Sequence, residues 1–491
     1  MKQFDVVIVG AGLSGIGTAV HLQRECPGKT YALLESRAAI GGTWDLYRYP
    51  GIRSDSDMHT LGYDFKPWKA EKAIADGPSI LKYVNEAADE FDVRSHILFN
   101  RRLEGARWSS EKALWELTVE HSDGDLTETE TITCNMMLMC TGYYSYDAPY
   151  QPHFEGQEDF EGPLFHPQMW PEDLHYEEKR IAVIGSGATA MTIVPSIARK
   201  AAQVTMIQRS PTYVVSRPAK DVIANALRKV LPESAAYSLT RAKNVFLQGR
   251  VYQKTRTAPE AVKDFLLKDV RKNLGPDYDV QKHFTPSYNP WDQRLCLIPD
   301  GDLYKSINQG KTTVVTDQID RITKGGVRMA SGEEIDADII VVATGLNLKL
   351  LGGVQFEVDG KPVHFPDTWS YKGMMYSDIP NLIQTFGYIN ASWTLRADLT
   401  ARYACRLINR MDELGVQQCM PRVRDEDQGM TERPWIDDFP AGYMKRGMHL
   451  FPKQSDREPW LNTQDYAYDK KMIRNAPLED GSLLFGRTEA E

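Results

Sequence analysis

Short runs of aliphatic residues, each ending at glycine, recur along the chain. The run 5–9 leads into Gly10, Gly12 and Gly15, and the run 181–184 leads into the segment 185–190. Continuous apolar runs of this length predict strands buried on both faces of a parallel sheet. Residues at helical spacing follow each glycine segment, from about residue 14 in the first case. The pattern therefore predicts two strand–turn–helix units.

The same patterns place the remaining elements. Further strands are predicted at 31–34, at 204–208, as short pieces within 97–134, and at 136–142 and 338–345, which both end in Thr-Gly. Helical spacing covers 70–95, 219–290 with prolines at its breaks, and about 20 residues from Trp393 onward. The segment 418–491 is dense in Pro, Trp and charge and predicts irregular wrapping.

The first glycine segment has the spacing of a dinucleotide-binding turn. Gly10, Gly12 and Gly15 permit a tight turn and a close approach of backbone to a pyrophosphate, which the following helix N-terminus attracts. Glu35 stands at the end of the next strand, 20 residues after Gly15, where a carboxylate accepts hydrogen bonds from ribose hydroxyls. We interpret this unit as an FAD site. The alternative is an ordinary strand–helix turn that binds no ligand.

The second glycine segment differs from the first at the end of its second strand. Its turn consists of Gly185, Ser186, Gly187, Ala188, Thr189 and Ala190. Arg209 and Ser210 occupy the position that Glu35 has in the first unit. An Arg pairs with a 2′-phosphate, whereas a carboxylate repels it, so this unit is predicted to bind NADPH. The alternative for Arg209 is a solvated surface side chain.

These units predict an α/β fold with two dinucleotide-binding, Rossmann-like domains, the NADP domain inserted into the FAD domain. We assign 1–145 to the first part of the FAD domain and 146–324 to the NADP domain, with a helical insertion at about 219–290. Residues 325–491 form the second part of the FAD domain and a C-terminal wrap. Because 338–345 mirrors 136–142, we interpret it as the return of the chain to the FAD domain.

Composition narrows the function further. The net charge of −9 over 491 residues argues against nucleic-acid binding and against a basic membrane-binding face. No apolar run reaches the roughly 18 residues that a membrane span needs, and the N-terminus has no signal-peptide pattern. The six cysteines contain no Cys-x-x-Cys, which is typical of a reducing cytoplasm. We expect a cytoplasmic protein without a metal site, either a monomer or a homo-oligomer.

A second glycine-containing region follows Glu35. Gly41 and Gly42 precede Thr43, Trp44, Asp45 and Leu46, and the loop that follows contains Arg53, Ser54, Asp55 and Asp57. Paired glycines beside large aromatic residues suggest backbone close to a cofactor, although a polar surface loop is the simpler alternative. For Arg53, Asp55 and Asp57, structural ion pairing and use in an active site are about equally favoured by composition.

The segment between the two units carries a more specific pattern. Phe160, Gly162, His166, Trp170 and Pro171 have the spacing F-x-G-x-x-x-H-x-x-x-W-P. Flanked by two dinucleotide turns, this fingerprint resembles that of the type I Baeyer–Villiger monooxygenases. The segments 41–45, 49–57 and 289–294 are similar to one branch of that family, the ethionamide-activating flavoprotein monooxygenases of mycobacteria and their relatives.

The resemblance implies an activity and residue roles. Enzymes of this family use NADPH to reduce FAD, form a C4a-peroxyflavin with O2, and insert one oxygen atom next to a ketone carbonyl to give an ester or lactone. They also oxygenate sulfides and thioamides. The resemblance implies catalytic roles for Arg294 and Asp55 beside the flavin, and Gln293 stands where many members have Lys. The cofactor-binding residues that it implies, besides the two glycine turns, are Ser14, Glu35, Thr43, Trp44, Asp45, Leu46, Arg53, Ser54, Asp55, Leu103, Arg209 and Ser210.

Other functions remain open at this point. A flavin-containing N- or S-monooxygenase without ketone activity is the nearest alternative. A flavin disulfide reductase is disfavoured because no paired redox cysteines are present, and a non-catalytic nucleotide sensor is a further class. We expect His166 and Trp170 at the linker between the units, away from substrate. Structural packing of a turn is the alternative role for both residues.

Overall fold

The computed structural model describes residues 2–124, 126–293, 295–437 and 441–486. Two sheets, a mixed one and a wholly parallel one, each with helices packed on it, dominate the described chain. Its helices are α1 (Leu13–Glu25), α2 (Thr43–Leu46), α3 (Met58–Leu61), α4 (Gly77–Glu90), α5 (Ala188–Ile197), α6 (Val222–Val230), α7 (Glu233–Thr257), α8 (Pro259–Leu274), α9 (Val280–Phe284), α10 (Asp302–Asn308), α11 (Trp393–Leu414), α12 (Gly442–Gly447) and α13 (Tyr466–Asn475).

The strands differ in length, and most are short. They are β1 (Lys2–Val9), β2 (Tyr31–Leu34), β3 (Ile97–Leu98), β4 (Arg101–Ser109), β5 (Leu114–Asp123), β6 (Leu126–Met139), β7 (Leu164–Phe165), β8 (Arg180–Ile184), β9 (Gln203–Gln208), β10 (Val214–Arg217), β11 (Cys296–Pro299), β12 (Thr312–Thr316), β13 (Ile319–Thr323), β14 (Gly326–Met329), β15 (Glu334–Asp336), β16 (Ile339–Val342), β17 (Gln355–Val358), β18 (Lys361–Pro362), β19 (Ser370–Tyr371), β20 (Met375–Tyr376), β21 (Leu382–Gln384), β22 (Gln418–Pro421), β23 (Arg433–Pro434), β24 (Lys453–Gln454) and β25 (Leu483–Gly486).

The first sheet has the order β18-β17-β4-β5-β6-β1-β2-β3, and β21 also pairs with β6. The longest strands, β4 to β6, form antiparallel pairs within it. Strand β1 runs parallel to both of its neighbours, with Val9 opposite Leu34 on one side and Met139 on the other. Its apolar residues are buried because α1 and α11 cover one face of the sheet. The carboxyl ends of β1, β2 and β6 therefore meet at one edge, where ligands bind in sheets of this kind.

The second sheet has the order β12-β9-β8-β16-β7 and all its pairs are parallel. Helices α6 to α9 lie in sequence between β10 and β11 and form the predicted helical insertion. Because β17 and β21 rejoin the first sheet after the second is complete, the second unit is inserted into the first. The predicted fold class is therefore confirmed.

One strand assignment requires correction. We interpreted 338–345 as the return to the first unit, but β16 lies in the second sheet between β8 and β7. Both sheets contain a buried strand that ends in Thr-Gly, so the pattern alone does not distinguish them. The chain rejoins the first sheet only at β17. The exact domain boundaries stay a prediction.

The C-terminal segment contains more regular structure than its composition suggested. Strand β22 pairs with β25, and β23 pairs with β24. Helix α13 packs on α11 through the buried ion pair between Arg396 and Asp469, whose nitrogen and oxygen are 2.5 Å apart. Among the helices of the described ranges, none has the length and apolar character needed to cross a membrane.

Candidate active site

The first glycine turn brings β1, α1 and the end of β6 into close contact. Gly10 has a φ of +104°, and a Cβ at this position would lie 2.7 Å from the carbonyl oxygen of Cys140. A Cβ at Gly15 would lie 1.8 Å from the carbonyl oxygen of Gly10, so the third glycine is needed for helix–strand packing. No side chain caps the start of α1 at Gly12. Its first N–H groups are therefore available to an anion such as a pyrophosphate.

Glu35 is buried at the carboxyl end of β2 and faces this turn. One carboxylate oxygen accepts a hydrogen bond from the Ala11 N–H at 2.8 Å, and the other accepts one from the Arg37 N–H at 2.9 Å. Burial raises the pKa of Glu35, although both of these hydrogen bonds act to lower it. The oxygen bonded to Arg37 also accepts from the Ser36 hydroxyl at 3.4 Å. The oxygen bonded to Ala11 keeps a lone pair for a further donor, which fits the predicted contact with ribose hydroxyls.

Ser14 gains a partner that the sequence did not indicate. The indole N–H of Trp393, at the start of α11, donates to the Ser14 hydroxyl oxygen at 2.7 Å. With its oxygen occupied as an acceptor, the Ser14 hydroxyl hydrogen is directed to another acceptor. Both residues line the same cavity. The arrangement fits a phosphate oxygen bound at the first turn.

A cavity of about 870 Å³ opens at this edge of the first sheet. Ten of the predicted cofactor-binding residues line it: Gly10, Gly12, Ser14, Glu35, Thr43, Trp44, Arg53, Ser54, Asp55 and Leu103. The cavity continues to the helical insertion, where Val215, Leu247, Val251 and Leu297 form an apolar wall. A cofactor turn and an apolar wall therefore share one cavity, as expected of a site for a small apolar substrate.

Three of the residues predicted to bind FAD do not line this cavity. Gly15 packs against β1, as described above. Leu46 is half-buried at the end of α2. The buried Asp45 carboxylate lies between Arg37 at 2.6 Å and Arg48 at 2.8 Å. Its role is to fix the loop after Gly42, because both of its oxygens are occupied by guanidinium groups.

The second glycine turn is built in the same way but lies outside the cavity. Gly185 has a φ of +137°, and a Cβ there would lie 2.2 Å from the carbonyl oxygen of Ala343. A Cβ at Gly187 would meet nothing within 4 Å, so the turn is open on the side of a ligand. Ala188 begins α5 without a side-chain cap, and Ala190 is buried where the helix meets the strand.

Arg209 and Ser210 are exposed at the end of β9, beside this turn. The Ser186 hydroxyl donates to the Ser210 carbonyl oxygen at 3.2 Å, which joins the two segments. Thr189 lies close to the hydroxyl of Tyr49, in the loop that follows α2. The structure thus brings together the predicted NADPH-binding residues at one end of the second sheet.

Arg53 connects the two units. Its guanidinium pairs with Asp302 at 2.5 Å and donates to the carbonyl oxygen of Met191 at 3.3 Å. Both partners belong to the second unit, whereas Arg53 also lines the cavity of the first. Nearby, a Cβ at Gly51 would lie 2.6 Å from the Cβ of Ser196, so the loop packs tightly on α5.

The fingerprint segment contacts both stretches of chain that cross between the two units. The outgoing crossing contains residues 145 and 146, and the returning crossing contains residue 345. The ring of His166 accepts from the Gln168 N–H at 3.1 Å, so its other nitrogen donates to the Gly345 carbonyl oxygen at 2.8 Å. Burial lowers the pKa of His166, which favours this neutral form. The Gln168 amide donates to the carbonyl oxygens of Ser145 and Tyr146, both at 3.0 Å.

Trp170 has a packing role in the same segment. Its ring makes edge contacts with Phe165 at 5.2 Å and Tyr176 at 6.3 Å between centroids. It does not line the cavity. His166 and Trp170 are therefore away from the cavity, as expected, and His166 contacts the returning chain directly.

Arg294, one of the two residues with a predicted catalytic role, lies outside the described residues. Asp55, the other, lines the cavity. Asp57 lines the cavity as well. It also caps α3 by accepting from the N–H groups of His59 and Thr60, and it accepts from Asn244 of α7 at 2.9 Å.

Several residues that line the cavity were missed from the sequence. Tyr143 and Tyr144 follow the Thr-Gly at the end of β6, a position that the parallel neighbourhood of β1 and β6 predicts to be close to the first turn. Other missed residues are brought in by tertiary packing and have no local signal, among them Lys243, Asn244, Asn390 and Trp393.

A network of charged side chains joins α1 to α11. The imidazole of His21 is 3.1 Å from Glu25 and 3.7 Å from Asp398. Within the described chain this is also where His and carboxylate side chains come close enough for a metal ion. Two arginines already pair with the carboxylates, so a protonated His21 leaves three positive and three negative charges. The members are His21, Glu25, Asp64, Arg241, Asp398 and Arg402.

Comparison with known proteins identifies the family. Residues 71–427 match the flavin-binding monooxygenase-like family, and residues 8–70 match an NAD(P)-binding Rossmann-like domain. The FAD-containing monooxygenase EthA of Mycobacterium tuberculosis is 49% identical over 490 residues, which cover 100% of this chain and 99% of that protein. The probable FAD-binding monooxygenase AlmA of Acinetobacter baylyi is 44% identical and covers 99% and 97% of the two chains.

Solved structures show the same fold at lower identity. Oxidised steroid monooxygenase bound to NADP is 22% identical, with a TM-score of 0.78 and coverage of 99% of this chain and 100% of that one. Cyclohexanone monooxygenase with bound ε-caprolactone is 21% identical, with a TM-score of 0.75 and the same coverage. The identification made from the motifs is confirmed: the chain belongs to the flavin-binding monooxygenase-like family, in its EthA-like branch.

Proposed function

We propose that this chain is an FAD-dependent, NADPH-consuming Baeyer–Villiger monooxygenase. It inserts one oxygen atom of O2 next to a ketone carbonyl to give an ester or lactone, and it also oxygenates sulfides and thioamides. The observation that carries the proposal is the single cavity that joins the first glycine turn to the apolar wall of Val215, Leu247, Val251 and Leu297. It offers an apolar substrate a place beside the cofactor.

The residues of the first turn fit an FAD. The uncapped start of α1 and the Ser14 hydroxyl would hold the pyrophosphate, and Glu35 would hold the ribose. The second turn, with Arg209 and Ser210, would hold NADPH. When bound, the flavin accepts hydride from NADPH and activates O2, chemistry that belongs to the cofactor and not to the chain.

The chain itself contributes position, charge and exclusion of water. The apolar wall orients the substrate and keeps water from the reacting atoms. We propose that the Arg294 guanidinium stabilises the negative oxygen that develops during oxygen transfer, with Asp55 as its partner in charge balance. A flavin-containing N- or S-monooxygenase without ketone activity is the second candidate.

Product analysis with one linear ketone and one thioether tests the proposal. Purified protein with FAD and NADPH should convert the ketone to an ester and the thioether to a sulfoxide, as measured by gas chromatography. Sulfoxide without any ester, over a panel of linear, cyclic and aryl ketones, would favour the second candidate. Consumption of NADPH with neither product would contradict both.

Arg294→Ala tests the role of that residue. The variant should bind FAD and oxidise NADPH but lose product formation by about 10²-fold, comparable to the removal of one oxyanion donor. Hydrogen peroxide should accumulate in place of product. Arg474→Ala, an exposed Arg on α13, is the matched control and should behave as the parent. Product formation by Arg294→Ala at the parental rate would contradict the assignment.

A further inference from the structure

Exposed apolar side chains are concentrated on the helical insertion. Twelve large hydrophobic residues are exposed in the described ranges, and eight of them lie between residues 222 and 265. Val230 is 76% exposed and Phe246 is 64% exposed. Exposed apolar groups that cluster in this way mark an interaction site, whereas scattered ones need no explanation. The eight are Val222, Ile223, Val230, Leu239, Phe246, Leu247, Val251 and Phe265.

The charge of the same segment is opposite to that of the whole chain. Residues 220–275 contain twelve Lys and Arg against five Asp and Glu, a local net charge of +7, while the chain as a whole carries −9. Only four of these twelve bases form an ion pair with a described residue. We argued against a basic membrane-binding face from the net charge of the whole chain. That sum conceals the positive charge of residues 220–275.

Apolar and basic residues share a stripe of α7. Phe246 lies seven residues after Leu239, and Arg250 and Lys254 follow it at spacings of four and eight, so all four face one side of the helix. All four are exposed. On α6, Val230 is exposed beside Lys229, and it lies about two helical turns from Ile223 and Val222. We name Val222, Ile223, Lys229, Val230, Leu239, Phe246, Arg250 and Lys254 the insertion face.

The insertion face is continuous with the mouth of the cavity. Val222 and Ile223 of α6 line the cavity, as do Leu247 and Val251 of α7. These residues are also among the exposed ones, so the apolar wall extends from the interior to the surface. An apolar molecule at this surface has an apolar path to the cofactor turn.

We propose that the insertion face docks on an anionic lipid bilayer. An apolar stripe flanked by Lys and Arg is the composition of helices that lie in the membrane interface, where apolar side chains enter the headgroup region and basic ones meet anionic lipids. A second copy of the chain is the other occupant to consider. The charge favours the bilayer, because two identical faces of this sign repel each other. This docking does not depend on the proposed reaction.

Vesicle flotation of the full-length protein with FAD tests the proposal. The protein should float with vesicles of equal parts phosphatidylcholine and phosphatidylglycerol and stay behind with pure phosphatidylcholine, and added NaCl should weaken the binding. The double variant Arg250→Glu with Lys254→Glu should lower the partition coefficient at least about tenfold. Leu239→Ser with Phe246→Ser should lower it as well, through the lost apolar contact.

Matched variants elsewhere serve as controls. Lys361→Glu with Lys471→Glu reverses two exposed charges outside the insertion, and Leu126→Ser removes an exposed apolar residue of the β5–β6 hairpin. Both should bind vesicles as the parent does. Equal circular dichroism and melting temperatures would show that the variants are folded. The proposal is overturned if the parent does not float with anionic vesicles. It is also overturned if the parent is a dimer that Leu239→Ser with Phe246→Ser separates.

Discussion

Substitution of Glu35 by Gln tests the first cofactor site with the smallest change in shape. The two carboxylate oxygens accept from two backbone N–H groups, those of Ala11 at 2.8 Å and Arg37 at 2.9 Å. An amide has one oxygen, so in the variant one N–H must face an NH2 group. A buried donor left without an acceptor costs about 1–3 kcal/mol, and the charged acceptor for the ribose hydroxyls is lost too.

The expected weakening of FAD binding follows from these contacts. If about 2 kcal/mol of the loss falls on the bound state, the Kd for FAD rises about 30-fold. Fluorescence of flavin released on dilution measures this value directly. Glu111→Gln, an exposed carboxylate in the turn between β4 and β5, is the matched control and should leave the Kd unchanged.

The pH dependence gives a second reading of the same site. Burial raises the pKa of Glu35 above its ordinary value, so the carboxyl becomes protonated at a higher pH than a solvated one. FAD affinity of the parent should therefore fall on acidification, while the Glu35→Gln variant should lack that step. Equal affinity of parent and variant at neutral pH, or the same acid step in both, would refute the assignment of Glu35 to the ribose.

Three further predictions concern other sites. Arg209→Ala should raise the KM for NADPH and leave that for NADH nearly unchanged, because only the 2′-phosphate contact is lost; equal effects in steady-state assays would contradict that contact. Burial lowers the pKa of His21, but the nearby carboxylates of Asp398, at 3.7 Å, and Glu25, at 3.1 Å, outweigh it and raise the value to about 9. Below pH 6.5, the ordinary pKa of histidine, protonated His21 therefore stabilises the fold by about 3 kcal/mol. This stabilisation is lost as the pH rises through 9. In urea denaturation the gap between the parent and His21→Gln should shrink over that range, and a constant gap would contradict the network. Gln168→Leu frees two carbonyls of the outgoing crossing and should slow reduction of bound flavin by NADPH in stopped-flow experiments, whereas Gln157→Leu should not; equal rates would show that the contact is structural only.

Local patterns predicted most of the elements and the first glycine turn. Strand β1 and its turn were predictable because β-branched residues, glycines and a terminal carboxylate each act on their own neighbourhood. Strand β16 was misplaced because an apolar run that ends in Thr-Gly fits the edge of either sheet, and only pairing with β8 and β7 decides between them. Pairing partners are set by contacts between residues far apart in the chain, which periodicity does not record.

The residues of the candidate site also form two groups: those that local spacing predicts, and those that distant parts of the chain bring in. Glycine and Glu35 positions follow from spacing within one unit, whereas Trp393 reaches Ser14 across 379 residues. The resemblance implies a cofactor contact for Asp45, and the structure pairs its two carboxylate oxygens with Arg37 and Arg48. A sequence position beside a ligand does not determine where a side chain points, since partners from other parts of the chain compete for it.

The fingerprint segment carries the resemblance to the family although none of its own residues lines the cavity. The side-chain donors of His166 and Gln168 reach backbone carbonyl oxygens at 145, 146 and 345, on both crossings between the units. Every residue has a backbone carbonyl oxygen, whatever its side chain. The geometry therefore requires His166 and Gln168 but no particular residues at 145, 146 and 345. Any rotation of one unit against the other must move these carbonyls or break the bonds. We therefore expect this segment to fix how the two predicted nucleotide sites face each other, which is a requirement for passing hydride from one cofactor to the other.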